Sequence, residues 1–299
     1  MSEENGEKNN CGSCASGGHP DQEALDELKD RLEVQNITCN IKHKIIVLSG
    51  KGGVGKSTVA ANMAVALSLQ DKRVGLMDID IHGPSIPRML GLEDGVPKKS
   101  PDGLVPIRYN PNLLVVSIGF LVPDRDHAVI WRAPLKHGLI RQFITEVQWG
   151  VLDYLIVDCP PGTGDEPLSV VQLLEDADGA VVVTTPQGIA VADVRRSITF
   201  CRNTNLPVLG VIENMSGFVC PNCKEHVDIF SRGGGQSMAT ELDVPFLGRI
   251  PIDPLMVESC DRGKPFMDTY GQSNTAKAFE PTIKTLLELR GPMHKNGGI

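Results

Sequence analysis

The stretch GKGGVGKST runs from Gly50 to Thr58, between the apolar segment HKIIVLS (43–49) and the helical segment STVAANMAVALSL (57–69). Strand, glycine-rich turn and helix in that order are what a phosphate-binding loop requires. Gly50, Gly52, Gly53 and Gly55 let the backbone turn tightly enough for its amides, that of Val54 included, to converge on an anion. The helix that opens at Ser57 and Thr58 adds unpaired N–H groups and the positive end of its dipole. Lys56 is then placed to neutralise β- and γ-phosphate charge, and the Ser57 hydroxyl to ligate Mg2+. The motif predicts an ATPase. Lys51 adds a cation whose target is left open by spacing: a phosphate of its own subunit, a nucleotide in a partner, or solvent.

Outward from this loop, two apolar runs end in carboxylates. RVGLMDID (73–80) ends in Asp78 and Asp80, and DYLIVDCP (153–160) carries Asp158, with PGTGDE (161–166) behind it. Doubly wound sheets collect ligands beyond the carboxyl ends of their strands. There one carboxylate can hold magnesium through water and another can orient an attacking water. Strand-end aspartates also serve as caps and turn residues, but the phosphate loop favours the functional role for Asp80 and Asp158. In VIENMSG (211–217) the amide of Asn214 offers a donor and an acceptor that suit a purine edge; a turn asparagine is the alternative.

Further strand-like runs occur at 178–186, 207–215 and 246–251, with helical stretches near 134–148, 167–174, 189–202 and 274–289. Between 81 and 125, seven prolines leave room for a short helix at 84–90 and strands at 104–108 and 113–117. The alternation predicts one α/β domain over 40–290, a doubly wound, mostly parallel sheet with helices on both faces. Burial must rest on Val, Ile and Leu, since the 299 residues include only eight Phe, three Tyr and two Trp. Residues 1–39 read as a polar, cysteine-containing arm with a short helix near 22–35, and 291–299 as a flexible tail. Lys and Arg number 29 against 37 Asp and Glu, which argues against a broad nucleic-acid face. No apolar run approaches a bilayer span, and residues 1–10 carry no signal segment. The expectation is a cytoplasmic chain with neither nucleic-acid nor membrane partners.

Eight cysteines include two C-x-x-C pairs, Cys11/Cys14 and Cys220/Cys223. A large chain of this type has no need of disulfide staples, so the pairs point to metal. Cys220-Pro-Asn-Cys223 can present two thiolates to one metal. Two are too few for a closed site, whereas a homodimer would supply four, a set suited to zinc or to a shared 4Fe–4S cluster. An unmetallated reduced pair is the third alternative, and an intrachain site that includes His226 would still lack a ligand.

GKGGVGKST resembles the deviant Walker motif of the MinD, ParA, arsenical-pump ATPase and nitrogenase iron protein class. That resemblance implies a nucleotide-sandwich homodimer with Lys51 reaching the partner's nucleotide. It also implies Asp80 positioning water, Asp158 as the Walker B carboxylate, Asp78 as a further magnesium residue and Gly162 to Gly164 as a γ-phosphate switch. Asn214 would meet adenine, with Pro251 and Asp253 of IPID (250–253) along the other side of the base. Together with DIDIHGPSIPRMLG, DCPPGTGDE, TTPQGIAVADVRR and ENMSGFVCPNC, the chain over about 40–285 resembles the Mrp/ApbC family of iron–sulfur carrier ATPases. Membership implies a 4Fe–4S cluster on Cys220 and Cys223 shared across the dimer, received from cluster donors and passed to apo iron–sulfur proteins. Slow ATP hydrolysis would be linked to that cycle.

The amino terminus departs from the longer four-cysteine motif of eukaryotic cytosolic relatives; Cys11 and Cys14 are candidates for accessory metal binding or transfer. The main alternative function is a MinD- or ParA-like spatial or protein-interaction switch with structural zinc or a bare cysteine pair. GPMHKNGGI, the final nine residues, draws no amphipathic membrane anchor. A nitrogenase-type reductase would need cysteines from two separate loops, for which Cys159 is the one suggestive position.

Overall fold

The computed structural model describes residues 29, 31–81, 83–121 and 133–290. Helix α1 (31–38) leads into β1 (Ile41–Ser49), and after the glycine loop α2 (Lys56–Ser68) follows. Next come β2 (Val74–Asp78), α3 (Ile86–Met89), and a run of short strands β3 (Lys98–Ser100), β4 (Gly103–Val105), β5 (Ile107–Asn110) and β6 (Leu113–Ser117). Helix α4 (Ala133–Thr145), β7 (Leu152–Asp158), α5 (Asp165–Leu173), β8 (Gly179–Thr184) and α6 (Gly188–Asn203) continue the β-α alternation. The last third holds β9 (Val208–Val219), β10 (His226–Val227), α7 (Gly234–Glu241), β11 (Phe246–Ile252), α8 (Pro254–Asp261), α9 (Phe266–Thr269), α10 (Asn274–Lys277) and α11 (Glu280–Leu287).

The main sheet runs β10-β9-β8-β1-β7-β2-β6-β5, with β11 also paired to β9. All pairings are parallel except those of β5 and β10. β1 lies between β7 and β8 and is buried at all but one position, as a strand covered on both faces must be. Successive β1 side chains feed opposite cores. Ile46 and Leu48 join α4, α5, α6 and α7 residues on one face, and Ile45 and Val47 join α2, α3, α8 and the closing helices on the other. This is the expected doubly wound architecture.

The strand expected over 104–108 is instead divided at Pro106 between β4, which pairs with β3, and β5, which pairs with β6. The predicted helix over 274–289 is two helices, because Pro281 lacks an N–H and falls in the first turn of the second. β9 runs past Met215 to Val219, since β11 and β10 both pair with its far end at Phe218. α7 and α8 were not anticipated; α7 opens on the glycine run 233–235, which reads as a loop, although Asp253-Pro254 is an ordinary cap-and-first-turn signal for α8. The predicted arm and its helix up to residue 28, together with the 291–299 tail, fall outside the described residues.

Candidate functional site: a phosphate crevice and a cysteine hairpin

Parallel pairing brings the key carboxylates to one edge. Asp158 ends β7 level with Val47 of β1 and with Asp78 of β2, while Ser49 ends β1 just ahead of the glycine loop. Gly53 and Gly55 take φ values of 77° and 80°, the left-handed region that the tight turn demands. Gly50 is needed for a different reason: a Cβ there would lie 2.3 Å from the carbonyl carbon of Asp193 in α6. The loop after β7 is held to the same place, with Gly162 N donating to Ser49 O at 2.8 Å and Pro161 against Gly52.

Lys56 is buried and donates to Asp158 Oδ1 at 2.5 Å and to Ser57 Oγ at 3.2 Å. Burial disfavours its ammonium, but Asp158, then Asp78 and Asp80, outweigh that and hold its pKa above the ordinary lysine value. Asp158 is itself pushed up by burial, against the pull of Lys56. Its second oxygen, Oδ2, is buried without a hydrogen-bond partner. An unsatisfied anionic oxygen of that kind is costly unless something cationic takes it up. Asp78 accepts from Ser117 Oγ at 2.8 Å and from the Asp80 amide at 3.1 Å. Burial, aided by repulsion from Asp158, raises its pKa to about 7. Asp80 is half-buried and accepts from Gly83 N at 3.2 Å. Lys51 is half-buried beside the loop, where its carbonyl accepts from Ser49 Oγ.

The residues assigned to the base are differently occupied. Asn214, on β9, donates from Nδ2 to Val54 O of the glycine loop at 2.9 Å, and Gly55 sits so close that a Cβ would strike the same amide. Asp253 spends Oδ1 capping α8 through Leu255 N (3.0 Å) and Oδ2 on Thr275 Oγ1 (2.7 Å). Pro251 is half-buried near the end of strand β11. In this arrangement Asn214 stiffens the loop and Asp253 fixes the helices behind it.

Cys220 and Cys223 lie beyond the end of β9, in the turn that reverses into β10. Lys224 N bonds to Cys220 O and Cys220 N to Glu225 O, both at 2.9 Å, and Lys224 takes a φ of 63° to close the turn. The amides of Cys223 and Asn222 point at the Cys220 sulfur, and with Lys224 they hold its thiol below the ordinary value. Cys223 is exposed and Cys220 half-exposed. Around them Val219, Val227 and Ile229 are 50%, 44% and 52% exposed, an apolar surround for a polar pair. His226 instead faces Asp228, with Nδ1 3.6 Å from Oδ1. Among the described residues no group of three or more His, Cys, Asp or Glu is placed to share a metal, so His226 does not complete an intrachain site. Cys159 is wholly buried and burial raises its thiol, which removes it as an accessible ligand. Cys11 and Cys14 lie outside the described residues.

Two residues of this region were not singled out from sequence. Ser117 holds Asp78, and nothing in a strand-end serine announces that. Glu213 is wholly buried in β9; a carboxylate inside the apolar run VIENM was the signal. Two cavities of about 1280 and 1220 Å³ lie apart from both the glycine loop and the hairpin, one lined by α1 and the start of β1, the other by α9 to α11.

The ParA family, described as NUBPL iron-transfer P-loop NTPase, matches residues 40–287. The iron-sulfur cluster carrier protein of Methanocaldococcus jannaschii is 49% identical over 279 residues, spanning 93% of this chain and 95% of that protein. A cytosolic Fe-S cluster assembly factor NUBP2 homolog from Nematostella vectensis is 53% identical over 248 residues, 82% of this chain and 92% of that protein. Among solved structures, a nucleotide-binding protein from Archaeoglobus fulgidus in complex with ADP is 42% identical with a TM-score of 0.69, covering 78% of this chain and 91% of that one. The cell division ATPase MinD of Pyrococcus furiosus, 24% identical, shares the fold with a TM-score of 0.62 over 83% of this chain and all of that one. No helix among the described residues is long and apolar enough to cross a membrane.

Proposed function

The chain belongs to the ParA family of NUBPL iron-transfer P-loop NTPases, and from that membership we propose a homodimeric, slowly hydrolysing ATPase that receives a 4Fe–4S cluster on Cys220 and Cys223 and passes it to apo iron–sulfur proteins. The observation that carries this is the ligand count. Two accessible thiols, one already held toward thiolate by backbone amides, stand on a hairpin with no third donor among the described residues. A second copy supplies the missing pair about a two-fold axis, and four thiolates suit a cluster. An exposed, half-completed site suits a carrier, because its cargo must also leave.

The nucleotide half works through exchange of partners. Before ATP arrives, Lys56 and Asp158 neutralise each other at 2.5 Å. Phosphate oxygens then take the Lys56 ammonium, the loop amides of Gly52 to Thr58 surround them, and Asp158 is released. Magnesium would fit the Ser57 hydroxyl so freed and Asp158 Oδ2, which has no hydrogen-bond partner even before ATP arrives, with Asp78 held behind them by Ser117; when bound it would neutralise β- and γ-phosphate charge. Asp80 orients the attacking water, Lys51 reaches the partner's nucleotide, and Gly162 to Gly164, anchored by the Gly162 amide on Ser49 O, respond to loss of the terminal phosphate. Asn214 exchanges Val54 O for the purine, beside Pro251 and Asp253. Relatives named as cytosolic assembly factors support a cytoplasmic setting.

The deciding experiment loads the full chain anaerobically with iron and sulfide and mixes it with an apo-ferredoxin. Cluster appearance in the acceptor, at a rate altered by ATP, is expected. Failure of any cluster to move while ATP is hydrolysed would replace the carrier with an ATP-driven interaction switch.

A further inference from the structure

Glu213 has no part in the chemistry above, yet its wholly buried carboxylate collects donors from four places. It accepts from Ser216 Oγ at 2.5 Å, Gly233 N at 2.9 Å, Gly235 N at 2.6 Å and Arg249 Nε at 3.2 Å. Burial alone would raise its pKa, but these donors hold it below the ordinary glutamate value, so it is an anion locked in place. Ser216 lies on β9 just before the cysteine hairpin, Gly233 and Gly235 lie where the chain returns from it into α7, and Arg249 lies on β11 alongside. Arg249 is itself fixed, over the Phe246 ring at 5.3 Å and against Gln236.

Both ends of the excursion that carries Cys220 and Cys223 are therefore closed on one side chain. There is no slack in the closure. A Cβ on Gly235 would come within 3.1 Å of Glu213 Oε2, and one on Gly217 within 2.8 Å of His226 Nε2. The residue next to Glu213 along the strand is Asn214, which grips Val54 O of the glycine loop. From loop to hairpin base the connection is thus one hydrogen bond, one peptide unit and one carboxylate.

We propose that Glu213 is the positioning residue through which occupancy of the glycine loop is transmitted to the Cys220–Cys223 hairpin, an inference that rests on the nucleotide-switched carrier reading. When Asn214 gives up Val54 O, any displacement of β9 moves Glu213, and the donors locked to it carry the hairpin base as a unit. Glutamine in its place keeps the shape but leaves one acceptor oxygen and turns an NH2 group toward groups that are themselves donors.

The test uses the full-length, reduced, metal-free protein, so that it does not depend on cluster chemistry. Alkylation rates of Cys220 and Cys223 with iodoacetamide are read by peptide mass with and without MgATP. Wild type is expected to change by about fivefold or more in either direction, the ordinary scale of coupling between sites. Glu213→Gln is expected to bind ATP within about threefold of wild type while that ratio collapses toward one, and Ser216→Ala to give an intermediate ratio. A merely structural clamp would lower thermal stability and leave the ratio intact. An intact ratio in Glu213→Gln, or no ATP response in wild type, overturns the proposal. Should Glu213→Gln not fold, Ser216→Ala and amide exchange at Gly233 and Gly235 in wild type decide, since ATP must change the protection of both and unchanged protection overturns it. If cluster transfer fails while the thiol response survives, the carrier reading falls and this coupling stands.

Discussion

The phosphate crevice and the cysteine hairpin are built on opposite principles although β9 connects them. In the crevice, polar groups are paired largely within one chain: Lys56 meets Asp158, Ser117 meets Asp78, and Asn214 meets the loop, with Asp158 Oδ2 left over. On the hairpin, two thiols stand among exposed Val219, Val227 and Ile229 with no third donor among the described residues to complete them. A site whose lysine and carboxylates already hold partners within their own chain, Asp158 Oδ2 apart, can stand without a nucleotide. A thiol pair with no third donor among the described residues is open to whatever joins it.

The largest expected effect breaks the balance in the crevice. Lys56→Met removes the ammonium proposed to face phosphate and should lower ATP turnover by roughly a hundredfold or more. In the nucleotide-free protein it leaves Asp158 buried without its partner, a change that costs about 3–5 kcal/mol when a charge stays unpaired. Turnover is measured by phosphate release and stability by chemical denaturation; turnover near wild type would mean that Lys56 serves the fold alone. A smaller effect sharpens the contrast between the regions. Gly50→Ala forces a methyl onto the Asp193 backbone and should cost about 1–3 kcal/mol through overpacking. Asn222→Ala, on the exposed hairpin, should stay within about 0.5 kcal/mol. Equal losses at both positions, read from melting curves, would erase the distinction between a packed crevice and an open hairpin.

The crevice was legible in the sequence for a physical reason. Glycines at 50, 52, 53 and 55, a lysine, a hydroxyl and carboxylates at strand ends are local patterns, and parallel pairing then has little freedom in where it sends them. Asp78 and Asp158 needed only adjacent strands to meet. The donors of Glu213 were not legible, because Ser216, Gly233, Gly235 and Arg249 come together only after β9 lengthens, α7 forms from a glycine run and β11 takes its place. The actual partners of Asn214 and Asp253 were hidden likewise: an amide or carboxylate at a strand end fits a ligand, a loop carbonyl or a helix cap equally well, and only the fold decides. Cys220 and Cys223 were visible as a pair, yet that no third donor among the described residues lies beside them is a property of the folded hairpin.

Whether Cys220 and Cys223 form half of a shared cluster site, as proposed, is a matter of metal content. It is tested most directly by iron, acid-labile sulfide and zinc per chain after anaerobic reconstitution, for wild type, Cys220→Ala and Cys223→Ala, with sedimentation in the same buffer. About two iron and two sulfide per chain in a dimer, lost in either variant, is the predicted result for one four-iron cluster held by two chains. Stoichiometric zinc that excludes iron, or an iron content indifferent to both substitutions, would contradict it.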